Sequence, residues 1–166
     1  LAPDSRASHD WTNAPAYIWG ADGARPIDAL DALPLGYLTG VDRQKEALHS
    51  NTARLAAGAA AHDTLLWGAR GMGKSALVRS VVADIQQDGG SNLALVQVVP
   101  GELDTVPALM ADLAQVDRSF LLFIDDLGFG SDQQSETLAL RSLLDGGIVP
   151  RPPRLRVAVT SNRRAI

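Results

Sequence analysis

The stretch Gly68-Ala69-Arg70-Gly71-Met72-Gly73-Lys74-Ser75 meets the pattern G-x-x-x-x-G-K-[ST] in full. Glycines at 71 and 73 let the backbone curl so that successive N–H groups face one anion, and a helix starting near Lys74 adds the positive end of its dipole. The Lys74 ammonium is expected to reach the β and γ phosphates of a nucleotide. The Ser75 hydroxyl is an oxygen ligand of the kind Mg²⁺ accepts alongside phosphates and waters. The expected nucleotide contacts are therefore Gly68, Ala69, Arg70, Gly71, Met72, Gly73, Lys74 and Ser75, followed by Ala76. The alternative is a chance glycine turn. Against it stand the apolar run Thr64 to Trp67 just before the loop and the helical pattern just after it.

A magnesium nucleotide also needs a carboxylate near the metal. Phe120-Leu121-Leu122-Phe123-Ile124 ends in Asp125 and Asp126, a Walker B pattern. Asp125 is expected to hold the metal through its waters, and Asp126 to orient or deprotonate the water that attacks the γ-phosphate. A third polar group, Thr160-Ser161-Asn162, follows the apolar Val157-Ala158-Val159. Alone it would read as a turn or a helix cap. In order behind the other two motifs, Asn162 is placed to hydrogen-bond the γ-phosphate or the attacking water, the role called sensor 1. Arg163 and Arg164 come next, and an arginine fork suits the charge that develops during phosphoryl transfer, including on a nucleotide held by an adjacent protomer. Arg151 and Arg154 are further candidates for that role, and surface ion pairing is the competing reading for all of them.

These groups act together only if a fold brings them together. Thr64 to Trp67 reads as a strand, Lys74 to Gln87 as a helix closed by Asp88-Gly89-Gly90, and Leu93 to Val99 as a second strand. A helix is expected over residues 105 to 115, a third strand from Phe120 to Asp125, a helix from Ser135 to Leu144, and a fourth strand from Arg156 to Thr160. Continuous apolar strands separated by helices imply a parallel sheet covered on both faces, a three-layer α/β/α architecture of the P-loop nucleotide-triphosphatase kind. Ligands in such sheets gather at the carboxyl ends of the strands. Before this alternation, residues 42 to 60 show helical spacing with Gly58 as the stop. Residues 1 to 36 read as an extended lead-in whose bulky anchors are Trp11, Tyr17 and Trp19, expected to pack on the core.

Bulk properties fit one globular unit. The 166 residues are 46% hydrophobic and 20% charged, with a net charge of -4. With no cysteine, disulfides and thiolate metal sites are excluded. No apolar run is long enough to suggest a membrane span, and nothing at the start has the layout of a signal peptide, which makes the cytoplasm the expected compartment. Charge is uneven, because residues 151 to 166 carry five of the fifteen Lys and Arg and none of the nineteen acids. The start at Leu1 and the stop just after an expected strand suggest a piece of a longer product.

Several stretches together resemble one bacterial group, the AAA+-like ATPase family called domain of unknown function 815. They are Gly40-Val41-Asp42-Arg43-Gln44-Lys45-Glu46, Asn51-Thr52, the run from Leu65 to Ser75, Asp125-Asp126-Leu127, Leu144-Asp145-Gly146-Gly147-Ile148 and Thr160 to Arg164. The likeness covers roughly residues 36 to 166. It implies an AAA+ fold with ATP and Mg²⁺ as ligands, Val41 and its neighbours near the adenine, ring assembly into a homo-oligomer, and a protein client that the family does not specify. AAA+ cores also continue past sensor 1 into a fifth strand and a helical lid. Under this resemblance residues 37 to 166 form the ATPase core, ending before that fifth strand and lid; Gly128-Phe129-Gly130 departs from a simple helix entry and is expected to form a loop near the γ-phosphate. Two other readings stand beside the ATP-driven switch or remodeller. Asp125-Asp126-Leu127-Gly128 also looks like replication-loader and transposition-helper ATPases, with the basic end touching DNA. A nucleotide-binding scaffold without turnover is suggested by Asp126, where many AAA+ proteins have Glu.

Overall fold

The computed structural model describes residues 10–38, 40, 42–67, 73–89, 92–99, 101–125 and 152–161. Six strands form one sheet: β1 Ala16–Gly20, β2 Gly23–Ile27, β3 Thr64–Trp67, β4 Leu93–Val98, β5 Ser119–Ile124 and β6 Leu155–Ser161. The helices are α1 Asp42–Ala56, α2 Lys74–Gln87 and α3 Val106–Leu113. Strand order is β2-β1-β4-β5-β6-β3. All neighbouring strands pair in parallel except the hairpin β1–β2.

Alternation along the strands sorts the side chains into two layers. Phe120, Leu122 and Ile124 of β5, with Leu155, Val157 and Val159 of β6, join α3 residues Val106, Leu109, Met110 and Leu113 in one apolar cluster. Leu121 and Phe123 of β5 and Ala158 of β6 face the other way, against Leu48 and Leu55 of α1 and Leu77, Val78, Val81, Val82 and Ile85 of α2. Helices on both faces of a mostly parallel sheet make the expected three-layer α/β/α fold. Asn51, buried on α1, ties that helix to the approach to β3: its amide donates to the His62 carbonyl at 2.7 Å and its oxygen accepts from the His62 N–H at 3.1 Å.

Strand and helix boundaries fall within a few residues of the sequence reading, and the helix after Asp42 ends at Ala56 with Gly58 at φ +77. The helix expected over 135 to 144 lies outside the described residues. The lead-in is where the two differ. Residues 16–27 form a hairpin that adds two strands to the sheet, with Ala16 of β1 level with Leu95 of β4. The pattern in Ala-Tyr-Ile-Trp-Gly is a strand pattern, since Tyr17 and Trp19 point to the α3 layer and Ala16 to the α1–α2 layer. Pro26 sits without conflict because β2 is an outer strand, where no N–H is needed on the open side. All three expected anchors pack in the core: Trp11 meets Tyr17 edge-on at 4.9 Å and Phe120 edge-on at 6.2 Å, and its carbonyl accepts from buried Arg118 Nη1 at 2.9 Å. Among the described residues no helix is long and apolar enough to cross a membrane.

Candidate functional site at the carboxyl end of the sheet

The same alternation that builds the core delivers the site. Counting on from Leu121 and Phe123, Asp125 falls on the face that carries α2, just past the end of β5. Counting on from Ala158 places Thr160 on that face too, near the end of the neighbouring β6. Ser75, the second residue of α2, completes the group. Asp125 Oδ1 accepts a hydrogen bond from the Ser75 hydroxyl and a second, of 2.6 Å, from the Thr160 hydroxyl. Thr160 is fully buried, whereas Ser75 and Asp125 are half-buried and so within reach of a ligand. The donor set is a carboxylate and two hydroxyls. These are hard oxygens, and they suit Mg²⁺, which takes one or two carboxylates and keeps most of its remaining positions for phosphate and water.

Beside this carboxylate α2 begins in a form suited to an anion. Its N-cap is Gly73, held in the left-handed region at φ 77, ψ 21, and the Gly73 carbonyl accepts the first helical bond from the Leu77 N–H at 2.8 Å. Among the described residues no side chain caps this end, and no acidic residue stands in the first turn. A first turn with no acidic residue of its own leaves its N–H groups and its positive end for an incoming phosphate. Lys74 and Ala76 of that turn are, like Ser75, half-buried.

Contacts at the opposite end orient the two helices. Ser119, at the start of β5, donates to the Leu55 carbonyl near the end of α1 at 2.8 Å. Gln86, near the end of α2, donates to the Leu93 carbonyl at the start of β4 at 2.8 Å. Both helices therefore finish at the amino ends of the strands and begin at the carboxyl ends, where Asp125 and Thr160 lie. The turn at Leu35–Tyr37 leads into the start of α1 and is fastened there by the Lys45 ammonium, which donates to the Leu35 and Leu38 carbonyls at 3.1 and 3.0 Å. This fastens Leu35 and Leu38 to the start of α1, at the carboxyl end of the sheet.

Of the residues singled out in the sequence, the structure brings Ser75 and Asp125 into contact and sets Gly73, Lys74 and Ala76 beside them. Val41, Gly68, Ala69, Arg70, Gly71, Met72, Asp126, Asn162, Arg163, Arg164 and Arg151 lie outside the described residues. Arg154 is at the far end of the sheet, where it donates to Asp117 at 2.6 Å and to the Ser119 hydroxyl at 3.2 Å. The sequence reading passed over Thr160 in favour of Asn162. Strand parity counted from Val157 was the signal that would have found it.

Residues 12–166 match the family described as Protein of unknown function (DUF815). The chain belongs to this family. No protein of curated function matches the sequence. Among solved structures, that of Rhizobiales Trip13 superposes with a TM-score of 0.53 at 17% identity, over 78% of this chain and 56% of the other. A variant of Thermotoga maritima RuvB gives a TM-score of 0.51 at 21% identity, over 81% of this chain and 42% of the other. The DUF815 chain thus spans about half the length of these neighbours. Both are AAA+ P-loop ATPases, and at such identities the likeness establishes the fold of the DUF815 chain: an AAA+-type α/β/α core.

Proposed function

We propose that this chain binds Mg-ATP at the carboxyl end of its sheet and hydrolyses it as the core of an AAA+ ATPase that acts as a conformational switch or remodeller. The observation that carries the reading is the meeting of Ser75 of α2 with Asp125 just past β5, beside a helix whose first turn has no acid and follows a complete phosphate-loop pattern. The loop Gly68 to Met72 wraps the phosphates with backbone N–H groups, and Lys74 neutralises the outer ones. Ser75 and Asp125 would hold a magnesium ion, which would supply positive charge to the phosphoryl oxygens. Asp126 takes the proton of the attacking water, and Asn162 fixes that water against the γ-phosphate. Arg163 or Arg164 serves the nucleotide of a neighbouring copy in a homo-oligomer.

The test is retention of radiolabelled ATP by the 166-residue chain in equilibrium dialysis with Mg²⁺. Wild type is expected to bind, and Lys74→Ala to bind at least about tenfold more weakly, the consequence of losing one charge-assisted contact. Asp126→Asn is expected to keep the ATP but release no phosphate. Failure of the wild type to retain ATP at any Mg²⁺ concentration would end the reading.

A further inference from the structure

We propose that Thr160 is the positioning residue for the metal-binding carboxylate, and that its hydroxyl sets how tightly the site takes Mg²⁺. The inference rests on the Mg-nucleotide reading above and goes beyond it. Asp125 has two hydroxyl donors on the same oxygen, Ser75 and Thr160. They differ in how firmly they are held. Ser75 belongs to the first turn of a helix, next to the loop that must wrap a ligand, and is half-buried. Thr160 lies in β6, between β3 and β5 in the sheet, with Leu66 of β3 beside it and a relative exposure of 1%. As a β-branched residue in a strand it has little freedom at χ1.

The hydrogen-bond inventory of the three groups then assigns their roles. A serine hydroxyl has one proton, and in this structure it goes to Asp125, so only its lone pairs are left to face a cation. That arrangement holds only while Oδ1 stays where it is. Thr160 keeps it there, because a carboxylate tied by Ser75 alone can swing about the Cα–Cβ and Cβ–Cγ bonds with the helix start. With Thr160 in place the plane of Asp125 is fixed to the sheet before any metal arrives, and the ordering cost of metal binding is lowered in advance. Thr160 touches neither nucleotide nor metal, and it acts through Asp125.

The experiment measures ATP affinity as a function of free Mg²⁺ for the wild-type chain, Thr160→Val, Thr160→Ala and Thr160→Ser. Valine keeps the shape and loses the donor; alanine guards against a valine variant that does not fold. Both are expected to raise the half-saturating Mg²⁺ concentration roughly tenfold, the effect of one hydrogen bond to a charged group. ATP affinity in EDTA should stay as in wild type, and Thr160→Ser should return the Mg²⁺ requirement close to wild type. A valine or alanine variant with an unchanged Mg²⁺ requirement overturns the proposal, as does equal weakening with and without Mg²⁺, which would make Thr160 a packing residue only. If the wild type binds no ATP under either condition, the nucleotide reading itself is at fault and this proposal goes with it.

Discussion

Gly73→Ala tests the start of α2 with a cost that can be worked from the backbone. Gly73 has φ +77, in the left-handed region that side chains with a Cβ avoid. A Cβ built there meets no heavy atom of the described residues within 4 Å, so against these residues the penalty is the conformational one. For one residue that penalty is roughly 1–2 kcal/mol. In a chain of this size each kcal/mol lowers Tm by about 2–4 °C, so the expected loss is about 2–8 °C by differential scanning calorimetry. Asparagine tolerates the left-handed region better, so Gly73→Asn should lose less than Gly73→Ala despite its larger side chain. Gly20 serves as the control. Its φ is not in the left-handed region, and an added Cβ would lie 3.6 Å from Val99 Cγ2, an ordinary contact. Gly20→Ala should be neutral or stabilise by a few tenths of a kcal/mol up to about 1 kcal/mol. An alanine at 73 as stable as wild type, or an asparagine worse than the alanine, would refute the conformational argument.

Two further outcomes concern the first strand and the segment before it. Trp11→Ala removes a buried ring that contacts Tyr17, Trp19 and Phe120, and should cost about 3–5 kcal/mol in urea unfolding. Acid should loosen the same anchor. The Thr12 hydroxyl and backbone N–H donate to Asp10 and hold its carboxyl below the usual carboxylate value. The folded state thus binds that proton less readily than the unfolded chain, so the stabilisation is present above about pH 4 and fades as pH falls through the folded value. In a Trp19→Phe, Trp67→Phe background, Trp11 emission should shift to the red over that lower range, and the shift should be absent in Asp10→Asn, which has no carboxyl to titrate there.

Much of the core was legible because it obeys one rule at a time. Apolar runs such as Phe120 to Ile124 must be buried on both faces, and Lys74 to Gln87 has a helical period between a glycine loop and a glycine stop. The hairpin was harder to see. Tyr17 and Trp19 alternate over five residues, too short a window to stand out, and Pro26 reads as a break until β2 is known to be an outer strand. Ser75 and Asp125 were recognisable from their motifs, yet their contact depends on β5 and α2 lying side by side, which is a property of the sheet order. Thr160 was visible as a polar residue and hidden as a partner, because the pairing of Val159 with Ile124 decides which carboxylate it meets. Arg154 shows the opposite case. Its charge drew attention in the sequence, and its position at the amino end of β6 engages it with Asp117 and Ser119.

The placement of the hairpin beside β4 also fixes an order of events during synthesis. β1 leaves the ribosome long before its parallel partner, since Ala16 aligns with Leu95, and Trp11 waits longer still for Arg118. At ordinary elongation rates the delay is on the order of ten seconds. Throughout it Trp11, Tyr17 and Trp19 have neither β4 nor α3 to cover them. The nascent chain therefore exposes this aromatic segment well before it can bury it, which is the kind of window a ribosome-bound chaperone occupies. Deleting the hairpin would remove that early hazard and create a lasting one, because the uncovered edge of β4 would be open to pairing with the β4 of another molecule.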